Sequence, residues 1–240
     1  KYEAIETGDK VRYFYVNQPN KYGIGAIAYK YYYPEEFKDI FSADIEKMFE
    51  KLEILSGRYK THGPFKGFDK MIGKMLIVSE VLCKGKFIYF KFQDGSSLWS
   101  TLGMSASWQK KETKHSRVYI KTNYGNEVYF NDIRNFGTLK FSDSKKKLDE
   151  KLSTLGPDMF LKETTFEVFK KALNKKQANL NKTLPELLLK DQKTVSGVGN
   201  YIKSESLYIA KISPHRKLKD ITEAELKGLF QAIKKVIKQS

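Results

Sequence analysis

The sequence predicts an α+β protein of two domains, an antiparallel β-sandwich with one or two helices followed by a helical domain. Three observations predict it. Short aromatic and β-branched runs, separated by turn signals, dominate the chain to about residue 142. Amphipathic runs with helical spacing replace them after about residue 145. With 40% hydrophobic and 14% aromatic residues among 240, the chain has enough apolar material for two cores. The division is expected at 1–144 and 145–240.

The strand series opens with VRYFYV (Val11–Val16) and IGAIAYKYYY (Ile24–Tyr33). One helix is expected across Ser42–Lys51, with Ser42 as its N-cap. KFIYFKF (Lys86–Phe92) runs into Asp94-Gly95, a hairpin signal, and then into SSLWSTLGM (Ser96–Met104). RVYIKTNYGNEVYF (Arg117–Phe130) reads as a second hairpin, turning around Asn123–Asn126, and GTLKF (Gly137–Phe141) closes the series. Lys145–Lys147 reads as a solvated, hinge-like stretch. Helices are expected over Glu167–Lys175, Leu184–Asp191 and Asn200–Lys211. The last helix opens with a capping box, Thr222 with Glu225, and lines up Leu226, Leu229, Phe230, Ile233, Val236 and Ile237 as a buried stripe.

Lys and Arg number 44 against 28 Asp and Glu, a net charge of +16, and the lysines are spread along the chain. That balance points to a polyanionic partner, nucleic acid first, and argues against a membrane-surface helix. No apolar run is long enough to span a membrane. The single cysteine, Cys83, excludes a disulfide framework and a cysteine-rich zinc site, and makes an intracellular reducing compartment the default. His62, His115 and His215 lack ligand spacing, so neither a metal nor any other cofactor is expected.

The stretch SGVGNYIKSESLYIAKISPH (Ser196–His215) sets Gly197 and Gly199 at the start of a helix. A dinucleotide fingerprint would need a strand before it and a third glycine where Ile202 stands, so that reading fails. What remains is helix, tight turn, helix. The exposed N–H groups of such a turn, with Asn200 at its mouth to cap the helix or donate to an anion, suit a phosphate. The residues alone fit a purely structural helical corner equally well.

LLLKDQKTVSGVGNYIKSESLYIAKISPH resembles the helix–two-turn–helix motif of the Fpg/Nei DNA glycosylases, the formamidopyrimidine-glycosylase and endonuclease VIII family. Asp191-Gln192, Gly197-x-Gly199-Asn200, Glu205, Leu207 and Ile212-x-Pro214 all fall in the family spacing. Cys83–Trp108, with its Leu-Gly-Met-Ser stretch, is similar to the family's strand pair. Asn131–Phe141 is similar to its Asp-x-Arg-x-Phe-Gly loop, and Leu155–Asp158 to the start of its helical domain. The resemblance runs from about Leu55 to Ile237 and leans to the Nei-like branch, viral members included; residues 1–40 match nothing in it.

The resemblance implies a monomeric base-excision-repair enzyme with damaged DNA as partner, held in a basic cleft between the domains. Such an enzyme is a bifunctional DNA glycosylase and AP lyase, working through a Schiff base. Lys86 would match the family's strand lysine, contacting the phosphate beside the lesion and assisting catalysis; an ordinary exposed strand lysine is the alternative. Met104, Arg134 and Phe136 would fill the void left by the extruded base, with core packing as the alternative for Met104 and Phe136. Asn200 and the backbone of Gly197 and Gly199 would hold a DNA phosphate, with Lys193 as a further contact and Glu205 ordering the helix. Three departures stand out. The opening KYEAIE does not match the family's terminal Pro-Glu, so Lys1 and Glu3 take no catalytic role. Thr101 replaces the histidine that often precedes Leu-Gly-Met. The family's zinc or zincless finger is not found by Ser240. Both ends of a longer enzyme are therefore expected to lie outside this stretch. The alternatives are a non-catalytic damaged-DNA-binding module and an RNA-associated protein using the same helical motif.

Overall fold

The computed structural model describes residues 47–239 apart from Met104, Tyr124, Lys190 and Asp191. The expected strands at Val11–Val16 and Ile24–Tyr33 and the Ser42 cap lie outside those residues. Two compact units are present, residues 47–151 and 152–239 within the described chain, each with its own apolar core. Among the described residues no helix is long and apolar enough to cross a membrane.

The first unit contains eight strands. They are β1 (Lys47–Ile54), β2 (Ile77–Lys84), β3 (Phe87–Phe92), β4 (Ser97–Thr101), β5 (Ala106–Gln109), β6 (Ser116–Thr122), β7 (Glu127–Asp132) and β8 (Thr138–Ser142). All pairings are antiparallel, in the order β5-β7-β6-β1-β2-β3-β4-β8. A short helix, α1 (Arg58–Thr61), follows β1. Strand β1 belongs to both layers of the sandwich. Lys47 and Met48 pair with β2; after a register shift between Phe49 and Lys51, the rest pairs with β6. Trp108 on β5 closes the layers. Its ring lies 5.4 Å from Phe90 and 5.1 Å from Phe130, and its indole N–H donates to Ser100 Oγ at 3.1 Å.

The expected helix over Ser42–Lys51 is not there from residue 47 onward, where the chain is strand β1. Met48, Phe49 and Leu52 have helical spacing, but that spacing arises because the bulge interrupts strand alternation. Both predicted turns form. Gly95 (φ 80°) follows Asp94, whose Oδ1 accepts from Ser96 N at 2.8 Å, and Gly125 (φ 76°) turns the β6–β7 hairpin.

Lys145–Lys147 is no hinge: it begins helix α2 (Lys145–Ser153), which Ser144 starts by accepting from Lys147 N through Oγ. Only Leu148 of α2 is buried, so the sequence shows no apolar stripe there. The second unit adds α3 (Phe166–Leu173), α4 (Leu184–Leu189), α5 (Asn200–Ile209) and α6 (Glu223–Gln239). Leu226, Leu229, Ile233 and Val236 of α6 pack into one core with Phe169, Leu188, Ile202 and Leu207; Phe230 and Ile237 edge it. The capping box forms as predicted. Thr222 N donates to Glu225 Oε2 at 2.8 Å, and Glu225 N donates to Thr222 Oγ1 at 3.3 Å.

Arg216 donates to both Glu225 oxygens, and the Thr222 N–H and hydroxyl add to it. Together they lower the Glu225 carboxyl from its ordinary 4.5 to about 2, with Arg216 the largest cause. The folded pKa lies below the unfolded one, so this stabilisation is complete above about pH 4.5 and is lost as pH falls toward 2. Acid unfolding followed by helical circular dichroism is expected to steepen in that window. Glu225→Gln should flatten it, and an unchanged profile in the variant would place the acid sensitivity elsewhere.

Candidate nucleic-acid interface

Three segments of the sandwich meet at one rim, and strand register puts them there. Phe87 at the start of β3 pairs with Thr101 at the end of β4, and Thr101 pairs with Thr138 at the start of β8. The residues just beyond these ladder ends are Lys86, the turn 102–105 and the loop 133–137. Adjacent strands lie about 4.8 Å apart, so the three segments share an edge roughly 10 Å wide. The Thr101 and Thr138 hydroxyls hydrogen-bond each other at 2.6 Å, tying off the ladder where the family often has histidine.

Asp132 joins the turn to the loop. Its carboxylate is buried and accepts from Ser105 Oγ at 2.9 Å, Arg134 N at 3.2 Å and Gly137 N at 2.7 Å. Gly137 packs tightly: a Cβ there would come within 2.7 Å of both Ala106 Cβ and the Phe130 ring. The Gly103 backbone (φ 58°) lies against Phe136, which a Cβ would approach to 3.1 Å. Met104 lies outside the described residues, but both its neighbours are held to the Arg134–Phe136 loop. The Arg134 and Phe136 side chains of the loop are exposed, while the Asn135 side-chain oxygen is buried against Gly57. Phe136 is 56% exposed and therefore not core, and the exposed Arg134 guanidinium sits 5.2 Å from its ring centroid.

Lys86 stands in the Gly85-Lys86 turn between β2 and β3, not on the strand as expected; Gly85 (φ 58°) makes the reversal. Its side chain is half-buried, and burial lowers the ammonium pKa below its ordinary value. It is therefore not the ordinary exposed strand lysine of the alternative reading.

In the second unit the segment before α5 is held from inside. Gln192 has a left-handed backbone (φ 56°). Its Oε1 accepts from Gly197 N at 2.8 Å and its Nε2 donates to Val198 O at 3.2 Å. The LGPD segment zips alongside: Ser196 N donates to Pro157 O at 2.9 Å and Met159 N to Ser196 O at 3.1 Å. At Gly197 (φ 90°) a Cβ would lie 2.8 Å from the Phe160 ring and 2.9 Å from Asp158 Oδ1, so only glycine fits. Its N–H is taken by Gln192, which makes its contribution one of shape. Gly199 (φ −96°) is extended backbone that any residue adopts; it is the N-cap of α5 and offers no side-chain cap. Asn200 does not cap the helix either. It is the first helical residue, exposed, and its Oδ1 accepts from Lys203 Nζ at 2.8 Å, which leaves its amide N–H groups as donors. The start of α5 thus has a glycine N-cap without a side-chain cap, with exposed Asn200 as its first residue; Lys193 is exposed in the segment that leads to it. Glu205 is exposed on the same helix. Among the described residues no cluster of three or more His, Cys, Asp or Glu could hold a metal ion.

A β-sandwich with the exposed Arg134 and Phe136 at its rim, followed by a helical unit whose helix α5 starts from a glycine N-cap, defines a two-domain protein of the helix–two-turn–helix class. Residues 45–139 match the formamidopyrimidine-DNA glycosylase N-terminal domain, and residues 155–240 match the formamidopyrimidine-DNA glycosylase H2TH domain. Formamidopyrimidine-DNA glycosylase of Thermus thermophilus is 32% identical over 165 residues, 68% of this chain and 59% of that protein. The protein of that name from Prochlorococcus marinus is 34% identical over 155 residues, 63% and 47% of the two chains. The crystal structure of MutM (Fpg) from Thermus thermophilus superposes with a TM-score of 0.68 at 24% identity, covering 85% of this chain and 71% of that one. That of Lactococcus lactis Fpg bound to DNA containing an AP site gives 0.66 at 22%, covering 81% and 74%. The chain belongs to the formamidopyrimidine-DNA glycosylase family. It spans 59% or less of the length of these two curated relatives.

Two site residues carry no local signal that names their task, Asp132 and Gln192. Both lie inside family motifs, but their partners become visible only in the folded chain. Gln192→Ala would strand the Gly197 N–H, at a cost of about 1–3 kcal/mol. Urea unfolding should show that loss, and a smaller one for Gln192→Glu, which keeps the acceptor. Equal losses in both variants would mean that the Val198 contact matters more.

Proposed function

We propose that the protein is a base-excision-repair DNA glycosylase that removes oxidised bases and cleaves the strand at the resulting abasic site. One observation carries the reading: Lys86, the Gly103 and Ser105 segment and the Arg134–Phe136 loop emerge at a single sandwich rim. Extruding a base costs a few kcal/mol and leaves a hole in the stack. An exposed aromatic ring on a rigid loop, with a guanidinium beside it, suits that hole: Phe136 stacks and Arg134 donates to the orphaned base. Met104 supplies a flexible apolar wedge from the adjoining turn.

The half-buried Lys86 ammonium is suited to the phosphate beside the lesion, where a fixed positive charge steadies the strand. The N-terminus of α5, with the exposed Asn200, Lys193 and the Gly199 backbone, suits a second phosphate, in a turn shaped by Gly197. Several such contacts on a chain of net charge +16 make affinity fall steeply with salt. In the reaction an unprotonated amine attacks C1′ of the sugar, and the C1′–N bond to the base breaks. The base leaves with the electron pair and takes up a proton. The amine loses a proton, and the C1′–O4′ bond breaks with O4′ taking up a proton, which opens the sugar ring and gives the Schiff base; removal of a C2′ proton then expels the 3′ phosphate by β-elimination.

Borohydride trapping tests this. The natural full-length protein is incubated with duplex DNA carrying one oxidised pyrimidine or one abasic site, and the adduct is mapped. A covalent adduct on one amine is expected. Tight binding to the damaged duplex with no adduct and no strand cleavage would make the protein the non-catalytic damaged-DNA-binding module.

A further inference from the structure

We infer that Arg58 and Arg117 are positioning residues that preset the Arg134–Phe136 loop in its wedge conformation before DNA arrives; the biological sense of this rests on the function proposed above. Arg58 Nη1 donates to Asn135 O at 3.1 Å, and its Nη2 donates to Gly137 O at 2.7 Å. The same Nη2 reaches the Tyr59 hydroxyl at 3.1 Å, and the guanidinium lies 4.9 Å from the Tyr59 ring centroid. The Tyr59 hydroxyl also accepts from Leu139 N at 2.8 Å, just past the loop. Arg117 Nε donates to Asp132 O at 2.8 Å, where the loop begins. Its Nη1 donates to Ser56 Oγ at 2.9 Å, and Ser56 Oγ donates to Ser116 O at 2.6 Å.

Gly57 lies between these groups with φ 69°, and a Cβ there would come within 2.6 Å of both Arg117 Cδ and Asn135 Oδ1. Ser56-Gly57-Arg58 is thus a cradle: the serine braces one arginine, the glycine leaves room, and the second arginine grips the loop. Asn135 is left-handed (φ 56°), a conformation that asparagine adopts more readily than most residues, so the loop's sequence and the Arg58 contacts favour the same turn. Turning the carbonyls of Asn135 and Gly137 toward Arg58 leaves the side chains of Arg134 and Phe136 to face outward. Arginine suits the task because its planar fork donates to two carbonyls in fixed directions, which a lysine ammonium does not.

The test uses the natural full-length protein and its Arg58→Ala and Arg58→Lys variants. A duplex with 2-aminopurine opposite the lesion reports insertion of the wedge as a fluorescence change. Loss of the charged donors should slow that phase roughly tenfold or more in Arg58→Ala. Cleavage of a single-stranded abasic oligonucleotide, which has no void to fill, should stay within about twofold. Arg58→Lys should restore little. In the DNA-free protein, hydrogen exchange at the Gly137 and Leu139 amides should rise in Arg58→Ala while the Phe90 amide stays protected. A wild-type fluorescence phase that survives unchanged in Arg58→Ala would overturn the inference. So would equal losses on duplex and single strand, or unchanged loop exchange. If the wild-type protein itself gives no fluorescence change, the proposed function fails, and the exchange measurement still decides whether Arg58 holds the loop.

Discussion

The buried carboxylate of Asp132 is the interaction on which the sandwich rim depends. A carboxylate removed from water is unfavourable unless hydrogen bonds replace its hydration. Here the replacements come from the two loops that the rim must hold together: Ser105 Oγ from the turn, and the N–H groups of Arg134 and Gly137 from the loop. The requirement of the carboxylate and the requirement of the backbone are met by the same contacts. Remove the carboxylate and the Gly137 N–H loses its acceptor, while Ser105 and Arg134 are left with only the hydrogen bond between them. Arg58 and Arg117 complete the arrangement by donating to loop carbonyls, which leaves the Arg134 and Phe136 side chains exposed.

Gln192 does the corresponding work in the helical unit. There too a single side chain accepts from a glycine N–H and donates to a nearby carbonyl, fixing a turn that would otherwise have many conformations. Neither turn is stabilised by the groups assigned to DNA. The side chains of Phe136, Arg134 and Asn200 are exposed and take no part in the Asp132 and Gln192 contacts. That separation keeps binding groups available and makes the geometry independent of the ligand, which is the physical meaning of preorganisation.

Much of this was legible in the sequence where structure is local. The hairpins at Asp94-Gly95 and Asn123–Asn126, the α6 capping box and the helical motif are written in neighbouring residues, and the motif also carries the family. Where a long-range pairing decides, local patterns mislead. Strand β1 reads as helix because its register shift breaks alternation, and α2 reads as a charged stretch because one leucine anchors it. Lys86 matches the family's strand lysine by resemblance, yet Gly85 sets it in a turn that the strand pattern does not show. Arg58 and Arg117 escaped notice for a related reason. Most of their acceptors are main-chain carbonyls; those Arg58 grips lie 77 and 79 residues along the chain, and a carbonyl leaves no mark on residue identity.

The central claim is that the rim delivers Phe136 into the gap opposite an extruded base. Photo-crosslinking tests it most directly. A benzophenone amino acid in place of Phe136, in the natural full-length protein bound to duplex DNA with one lesion, should crosslink to the base opposite the lesion and to its immediate stacking neighbours. Crosslinks spread along the flanking duplex, or unchanged when the lesion is replaced by an intact base pair, would contradict the account.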